Sequence, residues 1–506
     1  MAIFLTYDGT ELSYRSEGEG EPLICLPGGP GRASAYLGDL GGLSRYRRLI
    51  VLEARGAGGP ATPADTVTYR CDPQVDDVEA LREHLGLDRI DVLAHSAAGN
   101  LAVMYAAGRP HRVRSLTLVT PGTRAVGIPI TDGDWREAAG LRSGEPRYAA
   151  GSAAPDEIAA GRDPREVGEA VRPFMDGRWD EAARAHAAEE DEQRDPAAAR
   201  AFCADGAFDP AATRAAPAGV DAPVLVLAGE LDGDPRPERA AELAALFPAA
   251  RTVVQPGAGH YPWLDDPGAF TRTVAAFLDP AVHSVTAQGV TLAYRVWGRE
   301  DAPPVVLAHG RGGDSTHWTH AARELAVSRR VYAPDFRGHG LSDWPGSYGF
   351  ETFRDDLSLF VTALGLGPVD IVAHSMGGAA ALLLAQRRPE LVARLVVEDA
   401  PPLLPLDPPR PPAVRGEEPL GFDWPVVPDT DRELNEPDPA WWQELTEITC
   451  PTLVIGGGPT SHVPQDRLAE LAGRIPGGRF VTIDAGHLVH ESRPEDFLKS
   501  LKEFGL

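Results

Sequence analysis

The amino-acid sequence predicts an α/β protein of two consecutive domains, each a doubly wound, mostly parallel sheet with an inserted cap. Three observations predict this class. The chain has 506 residues, which is more than a single hydrophobic core usually serves. An apolar run that ends at a serine between small residues occurs at 91–99 and again at 370–378. Around both copies, strand patterns alternate with helix patterns at the spacing typical of parallel sheets.

The first half begins with a hairpin and continues as alternating strands and helices. Asp8-Gly9-Thr10 is a turn signal between two short strands. The stretch from 123 to about 220 has helical periodicity and few strand-forming residues, which indicates an inserted helical cap. The predicted strands lie at 3–7, 11–17, 23–26, 48–53, 90–94, 113–119, 223–228 and 251–255, and predicted helices lie at 75–85 and 266–278.

The second half repeats this order after a short linker, so the predicted domains are 1–280 and 281–506. Its cap, from 400 to about 448, is shorter and rich in proline. The two pockets should therefore differ in size and lining. The predicted strands begin near 285 and 291 and continue at 304–308, 330–334, 369–373, 395–397, 452–455 and 480–483.

Each repeated serine has the surroundings of a nucleophile elbow, a sharp strand-to-helix turn that presents a serine hydroxyl. Because the backbone is strained there, the residues two before and two after the serine must be small. Taken alone, either copy could be a serine in an ordinary turn, but two copies in matching contexts favour the elbow at Ser96 and at Ser375. The small residues at the required positions are Ala94, Ala98, Ala373 and Gly377.

A serine nucleophile needs a histidine base and an acid that orients the imidazole. In the first half the candidate base is His260 and the candidate acid is Asp232, each just after a predicted strand. His260 alone could be a surface histidine, but the chain order Ser, Asp, His at strand ends favours a triad with Ser96. Asp234 is the rival acid.

Backbone N–H groups beside each serine are predicted to form an oxyanion hole. In the first half the donors would be Ala97 and Gly29, the latter in the glycine-rich 27–31 loop. In the second half they would be Met376 and Arg311, in the loop His309-Gly310-Arg311-Gly312-Gly313. Each loop follows the third strand of its half, which favours this role over that of a plain turn.

These motifs resemble the α/β-hydrolase fold family over nearly the whole chain. In the second half, Asp335-Phe336-Arg337-Gly338-His339-Gly340-Leu341-Ser342 matches the family's D-x-R-G-x-G-x-S stretch, and the first half carries a looser Glu53-Ala54-Arg55-Gly56-Ala57-Gly58. The first half is similar to proline iminopeptidase-like enzymes through Pro-Gly-Gly-Pro-Gly at 27–31, where those enzymes more often begin with His. That departure disfavours peptidase activity and leaves ester hydrolysis open.

The second half departs from the family at the acid. His487 stands where the base is expected, but the segment after 455 has no carboxylate at the usual position. Some family members, including esterases, place the acid after the sixth strand, and Glu398 and Asp399 follow that strand here. We favour Glu398, with Asp399 as its rival and Ser461 as a supporting hydrogen-bond partner of His487. The alternative is that both carboxylates only cap the strand end and that this site is impaired.

Composition limits the partners of the chain. Lys and Arg number 48 against 74 Asp and Glu, which gives a formal charge of −26. Such a surface repels nucleic acid and anionic lipid, so neither nucleic acid nor a membrane is an expected partner. The N-terminus has no signal-peptide pattern and no stretch is long enough to span a bilayer, which predicts a cytoplasmic location. The oligomeric state is left open.

No cofactor or metal is expected. The sequence has no phosphate-binding loop, no nucleotide fingerprint and no Cys or His set at metal spacing. The four cysteines lack paired spacing and are predicted to be free thiols.

Two features of the caps keep alternatives open. The acidic run at 188–192 can receive a peptide's free amine, as cap carboxylates do in the iminopeptidases it resembles, or it can be a solvated helix face. Trp424, Trp441 and Trp442 can line an acyl pocket or anchor a short lid.

The leading hypothesis is a serine hydrolase with two Ser-His-acid sites that acts on small esters, lactones, thioesters or amides. One alternative makes the first half an aminopeptidase of proline iminopeptidase type. Another makes the second half a catalytically silent ligand-binding module. Dehalogenase and epoxide hydrolase chemistry is disfavoured because such family members use an aspartate at the elbow, where this chain has Ser96 and Ser375.

Overall fold

The computed structural model describes residues 1–57, 66–146, 148–160, 162, 167, 170–416 and 420–506. The chain divides into two compact units, Met1–Leu278 and Asp279–Leu506. Each unit contains one eight-stranded sheet with helices between the strands. The predicted fold class is therefore confirmed.

The sheet of the first unit has the strand order β1-β2-β4-β3-β5-β6-β7-β8. Strand β2 pairs antiparallel with β1 and β4, whereas all pairs from β4 to β8 are parallel. The strands are β1 Ala2–Leu5, β2 Glu11–Glu17, β3 Pro22–Leu26, β4 Arg48–Glu53, β5 Ile90–His95, β6 Val113–Val119, β7 Val224–Gly229 and β8 Ala250–Gln255.

The first unit's helices include a group inserted between β6 and β7, in the stretch predicted as a cap. Polar caps begin several of these helices: Thr131 and Asp134 form a capping box, and the carboxylates of Asp180 and Asp195 accept hydrogen bonds from the first-turn N–H groups of their helices. The inserted helices are α3 Asp132–Gly140, α4 Tyr148–Ala159, α5 Glu181–Gln193, α6 Pro196–Phe202 and α7 Pro210–Thr213. The others are α1 Cys71–His84, α2 Ala98–Gly108, α8 Pro237–Ala244, α9 Pro262–Asp265 and α10 Pro267–Leu278.

The sheet of the second unit has the corresponding order, β9-β10-β12-β11-β13-β14-β15-β16. The strands are β9 Val282–Ala287, β10 Val290–Trp297, β11 Pro304–Ala308, β12 Arg330–Pro334, β13 Val369–His374, β14 Val392–Glu398, β15 Thr452–Gly456 and β16 Arg479–Thr482. The helices are α11 Thr319–Leu325, α12 Phe350–Ala363, α13 Ser375–Arg387, α14 Val426–Asn435, α15 Pro439–Gln443, α16 Gln465–Arg474, α17 Val489–Ser492 and α18 Pro494–Phe504.

Strands β5 and β13 lie in the middle of their sheets, and every one of their residues is buried. Each has parallel neighbours on both sides. A loop that follows such a strand lies at the carboxyl edge of the sheet, where ligands bind in open α/β sheets. Of the helices that the structure describes, none is both long enough and apolar enough to cross a bilayer.

The arginine of the D-x-R-G stretch makes the same contact in both units. Arg55 donates from Nε and Nη2 to the carboxylate of Asp77 at 2.7 and 2.6 Å, and Arg337 donates from Nε and Nη2 to Asp356 at 2.9 and 2.5 Å. Asp77 lies on α1, the helix before β5, and Asp356 lies on α12, the helix before β13. Strands β5 and β13 are the strands that lead to Ser96 and Ser375. The motif therefore ties the loop after β4 or β12 to that helix. Gly58, the last residue of the looser copy, lies outside the described residues.

The acid of the same stretch anchors the loop that follows β3 or β11. Glu53 accepts hydrogen bonds from the N–H and the hydroxyl of Ser34, and Asp335 accepts one from the N–H of Ser315 at 2.7 Å. The two loops carry the predicted oxyanion-hole residues. The motif thus contributes to the site through backbone positioning.

Candidate active site

Ser96 and Ser375 directly follow β5 and β13, at the tip of a strained turn. Their φ angles are 52° and 51°, in the left-handed region that residues other than glycine rarely occupy. A Cβ atom added to Gly377 would lie 2.5 Å from the carbonyl oxygen of His309. This crowding explains why a small residue stands two positions after Ser375.

In the first unit, Ser96, His260 and Asp232 form one chain of hydrogen bonds. The distance from Ser96 Oγ to His260 Nε2 is 2.8 Å, and from His260 Nδ1 to Asp232 Oδ2 it is 2.9 Å. In the tautomer that satisfies both contacts, the Nδ1–H group donates to Asp232, and Nε2 accepts from the serine hydroxyl. Asp232 is fully buried and His260 is 4% exposed, so water is largely excluded from the contact.

Asp234, the rival acid, occupies a different position. Its backbone N–H donates to Asp232 Oδ1 at 2.9 Å, and the residue lines the cavity beside Ser96. The structure thus brings Asp232 rather than Asp234 against His260. Burial would lower the pKa of His260, but the Asp232 carboxylate, with smaller contributions from Asp234 and Asp176, raises it above its ordinary value.

In the second unit, Ser375, His487 and Asp399 form the equivalent chain. Ser375 Oγ lies 3.0 Å from His487 Nε2, and His487 Nδ1 lies 2.7 Å from Asp399 Oδ2. Asp399 also accepts hydrogen bonds from the Ser461 hydroxyl at 2.5 Å and from the Gly457 N–H at 2.9 Å. Burial favours its neutral form, but these hydrogen bonds hold the pKa of Asp399 below its ordinary value, so the carboxylate is ionised.

The preference for Glu398 as this acid is corrected by the geometry. Glu398 accepts hydrogen bonds from the backbone N–H and from Nδ1 of His490, each at 2.9 Å, whereas His487 Nδ1 is bonded to Asp399. Successive side chains at a strand end point to opposite sides, so only one of the two adjacent carboxylates faces His487. Ser461, expected to contact His487, instead donates to Asp399.

The pair formed by Glu398 and His490 was not foreseen from the sequence. Both side chains are buried, and the His490 ring stacks on Trp318 with centroids 4.2 Å apart. Burial disfavours both charges, but each partner favours the other's charged form, which lowers the pKa of Glu398 and raises that of His490. Helix α17, which contains His490, begins two residues after His487, so the pair anchors the loop that carries the candidate base.

The four residues predicted to form oxyanion holes all line cavities next to the serines. Ala97 and Gly29 line a cavity of about 910 Å³ with Ser96 and His260. Met376 and Arg311 line a cavity of about 250 Å³ with Ser375 and His487. Ala97 and Met376 lie at helix N-termini, where backbone N–H groups have no acceptor within the helix. Their donor role stays a prediction.

The larger cavity has a strongly charged lining. Of the acidic run at 188–192, Glu190 and Asp191 line this cavity, and each pairs with an arginine, Arg194 at 2.8 Å and Arg172 at 2.6 Å. Glu189 and Glu192 are exposed. The run therefore belongs partly to the cavity wall and partly to a solvated helix face.

Asp176 is a cavity residue that the sequence analysis missed. It is 2% exposed, and its Oδ1 has no hydrogen-bond partner among the described residues. Burial, with the nearby charge of Asp265, raises the pKa of Asp176 to about 7. The neighbouring Met175 carbonyl accepts from the His260 N–H at 2.6 Å, which joins this segment to the base. Nothing in the local sequence pattern distinguishes this aspartate from the other acids of the cap.

The smaller cavity is mainly apolar, and its described lining does not include the three tryptophans of the second cap. Trp441 is buried against Phe350, with ring centroids 6.0 Å apart, and the Arg474 guanidinium lies over the Trp442 ring. These contacts favour the anchoring role for both residues. The cavity's polar lining includes Arg311, Arg410 and His462.

The described residues contain no cluster of three or more His, Cys, Asp or Glu side chains placed to hold a metal ion. The four cysteines are free thiols. Burial raises the pKa of the thiols of Cys25, Cys71 and Cys450, which keeps them protonated and unreactive at neutral pH.

Comparison with known proteins gives one family match and several relatives. The model of the alpha/beta hydrolase fold family matches residues 21–267 and 303–440. The sn-1-specific diacylglycerol lipase ABHD11 of Mus musculus is 27% identical over 252 residues, which are 41% of this chain and 82% of that protein. A proline iminopeptidase of Heyndrickxia coagulans is 32% identical over 121 residues, 23% of this chain and 42% of that protein. Among solved structures, the proline iminopeptidase of Mycobacterium smegmatis has a TM-score of 0.44 and 25% identity, covering 55% of this chain and 97% of its own.

Proposed function

The chain belongs to the α/β-hydrolase fold family, and from this premise we propose that it is a serine hydrolase with two Ser-His-Asp sites, one in each domain. The observation that carries the proposal is the serine–histidine–aspartate hydrogen-bond chain, which recurs in both units at the carboxyl edge of the sheet. The substrates are small esters, lactones, thioesters or amides. The domains are 1–280, with a cap at about 123–220, and 281–506, with a cap at about 400–448.

In the first site, acylation begins when Ser96 Oγ attacks the substrate carbonyl carbon while its proton passes to His260 Nε2. The backbone N–H groups of Ala97 and Gly29 stabilise the oxyanion of the tetrahedral intermediate. Asp232 keeps the imidazole in the reactive tautomer and stabilises the imidazolium. The intermediate collapses as His260 returns its proton to the leaving alcohol, thiol or amine, which leaves an acyl-serine.

Deacylation repeats these steps with water as the nucleophile. His260 Nε2 accepts a proton from water as its oxygen attacks the acyl carbon, and the second tetrahedral intermediate uses the same two N–H donors. Collapse of that intermediate returns the proton to Ser96 Oγ and releases the carboxylic acid. No cofactor enters the cycle.

The second site performs the same cycle with Ser375, His487 and Asp399. Met376 and Arg311 provide the oxyanion donors through their backbone N–H groups. The shorter cap accompanies a smaller cavity, about 250 Å³ against about 910 Å³ in the first unit. The two sites therefore take substrates of different size.

Hydrolysis of 4-nitrophenyl esters by serine variants tests the proposal. Ser96→Ala and Ser375→Ala should each remove one component of the activity, and the double variant should lose both. Ser500→Ala, in the last helix, is the matched control and should retain the full rate. Full activity in the double variant would refute a serine mechanism at these positions.

A second candidate function for the first site is cleavage of peptides at a free N-terminus, as in proline iminopeptidases. The supporting observation is Asp176, a buried carboxylate in the cavity wall whose Oδ1 has no partner among the described residues. A substrate ammonium group would satisfy it. The test uses the Ser375→Ala variant with proline 4-nitroanilide and its N-acetyl derivative. Cleavage of the free amine alone supports the peptidase, whereas indifference to acetylation favours the esterase.

The alternative of a silent second half is disfavoured by the contact between Asp399 and His487. The alternative rested on the lack of a carboxylate at the usual position after residue 455. In the proposed site, Asp399 takes the place of that carboxylate. The residual activity of Ser96→Ala measures this directly, since it must come from Ser375.

A further inference from the structure

Two arginines from distant parts of the second unit line the cavity that contains Ser375. Arg311 lies in the loop after β11, and Arg410 lies in the proline-rich segment between β14 and α14. Their side chains are 28% and 31% exposed. Both guanidinium groups are therefore accessible from the cavity while most of each side chain is packed against protein.

The two arginines are held in place by the cap helix α14. Asp431 Oδ1 accepts hydrogen bonds from Nη1 of Arg311 at 2.7 Å and from Nη1 of Arg410 at 2.6 Å. Arg311 Nη1 also donates to the Thr430 hydroxyl at 3.1 Å. The backbone of Arg410 is fixed as well, since its N–H donates to Asn435 Oδ1 at 2.8 Å and its carbonyl accepts from Asn435 Nδ2 at 3.0 Å. The pair is thus positioned before any ligand arrives.

The cluster of Arg311, Arg410 and Asp431 carries a net positive charge. Burial would raise the pKa of Asp431, but its hydrogen bonds with Arg311 and Arg410 hold that pKa below the ordinary value, so it is ionised. Two guanidinium groups then face one carboxylate. Within the described residues, both arginines make their side-chain hydrogen bonds through Nη1, so Nη2 and Nε of each remain as donors for a ligand.

Among the described residues, the rest of the cavity lining adds no negative charge that would compensate the two arginines. The His462 ring lies 4.2 Å from the His487 ring, and burial together with the nearby positive groups lowers its pKa, which keeps it neutral. The acid of the candidate triad, Asp399, is fully buried behind His487. The remaining lining is apolar and includes Phe350, Met376, Leu406, Leu434 and Val463.

We propose that the Ser375 site takes acyl substrates that carry a carboxylate, which Arg311 and Arg410 bind while the scissile carbonyl lies at Ser375. Guanidinium groups match carboxylate geometry and form strong charge-assisted hydrogen bonds with it. The apolar lining accommodates the carbon chain between the two ends of the substrate. This inference rests on the proposed function of the Ser375 site and names its substrate class.

The test compares anionic with neutral esters in a Ser96→Ala background, where turnover reports the second site. The substrates are half-esters of 4-nitrophenol with dicarboxylic acids from malonate to adipate, each paired with the neutral 4-nitrophenyl ester of equal chain length. For the best-fitting length, kcat/KM should favour the half-ester by about 10-fold or more. Equal or lower kcat/KM for every half-ester would overturn the inference.

Variants of Arg410 test the residue assignment. Arg410→Gln should lower the ratio of anionic to neutral kcat/KM by about 10- to 100-fold, mainly through a higher KM, and Arg410→Lys should restore part of the preference. The matched control is Arg432→Gln, an exposed arginine on the same cap helix, which should leave the ratio unchanged. An equal loss with both substrate types in Arg410→Gln would contradict anion binding by this residue.

Binding without turnover separates this inference from the proposed function. Calorimetric titration of glutarate into the Ser96→Ala/Ser375→Ala protein should show binding that weakens at high salt and is lost in Arg410→Gln. If glutarate binds but neither ester type is hydrolysed in the Ser96→Ala background, the anion site stands and the catalytic role of Ser375 fails. If neutral esters are hydrolysed without an anionic preference and glutarate does not bind, the catalytic role stands and the anion site fails.

Discussion

Asp399 Oδ2 lies 2.7 Å from His487 Nδ1 in the second unit, although the aspartate follows β14 and not the next strand. In the first unit the acid in the same relationship, Asp232, follows β7, which is the counterpart of β15. Neighbouring parallel strands end at the same edge of a sheet, so an acid after either strand can reach the histidine. The two units thus have the same histidine–aspartate contact, although the aspartate follows a different strand in each.

Loss of the Asp399 carboxylate should disable the Ser375 site. Asp399→Asn preserves shape but favours the wrong histidine tautomer, and comparable triad changes lower kcat by about 10⁴-fold. Ester turnover by this variant in the Ser96→Ala background measures the effect. Glu398→Gln is the matched control, since Glu398 contacts His490, and its loss should be much smaller. A larger loss in Glu398→Gln than in Asp399→Asn would contradict the assignment.

In the first unit, the two candidate acids Asp232 and Asp234 can be compared in the same way, in a Ser375→Ala background. Asp232→Asn should lower kcat by about 10⁴-fold. Asp234→Asn should retain most of the activity because Asp234 lines the cavity without bonding to His260 through its carboxylate. Equal losses in the two variants would contradict the assignment of Asp232 as the acid.

The Ser96 site should lose activity as the pH falls through the pKa of His260. That pKa is raised by the Asp232 carboxylate, with contributions from Asp234 and Asp176, and imidazolium cannot accept the serine proton. Asp176→Asn removes one of the charges that favour imidazolium, so the acid limb of the kcat/KM profile should move to lower pH by up to about one unit. The pKa of Asp176 is itself about 7, so its charge acts mainly above that pH.

The control for this profile is Asp156→Asn, an exposed cap residue paired with Arg136. It should leave the acid limb in place. An acid limb that stays in place or moves to higher pH in Asp176→Asn would contradict a contribution of the Asp176 charge to the pKa of His260.

Breaking the buried pair of Arg337 and Asp356 should destabilise the second unit. Asp356 is 1% exposed, and Arg337→Ala would leave its carboxylate buried without its partner, a change that typically costs about 3–5 kcal/mol in the free energy of unfolding. Urea denaturation, with the transition of each unit followed separately, measures this. The double variant Arg337→Ala/Asp356→Asn should recover part of the loss, whereas Arg299→Ala, at an exposed pair, should leave the midpoint unchanged.

Much of the fold and several site positions could be predicted because local patterns mark them. Small residues around a serine, directly after an apolar strand, indicate the elbows at Ser96 and Ser375. His260 and His487 follow strands in similar Gly-His contexts, and the structure brings each to its serine at 2.8 and 3.0 Å. These signals lie within a few residues of the side chain that they identify.

The acid of the second unit could not be chosen from the sequence in the same way. Glu398 and Asp399 are adjacent carboxylates at one strand end, and the backbone conformation decides which of them faces His487. Asp399 has a φ of 43°, in the left-handed region. No residue pattern near it predicts this backbone conformation. Its contacts with Gly457 and Ser461 come from a segment that is distant in sequence.

The residues that line the two cavities could not be predicted from the sequence either, because contacts between distant segments determine them. Asp176 contributes to the first cavity and Arg410 to the second because of how each cap packs on its sheet, and such packing involves contacts between segments far apart in the chain. Arg410 reaches Asp431 through a proline-rich stretch without a repeating pattern. Substrate selection therefore depends on the parts of the chain that local patterns describe least.

The proposed mechanism requires two activated serines in one chain, Ser96 and Ser375. Intact-mass analysis after treatment with a fluorophosphonate, followed by peptide mapping, tests it most directly, because this reagent modifies serines that a histidine has activated. We expect two adducts per chain, at Ser96 and at Ser375. An adduct at Ser96 alone would contradict a working second site, and the absence of adducts at both serines would contradict the serine hydrolase mechanism.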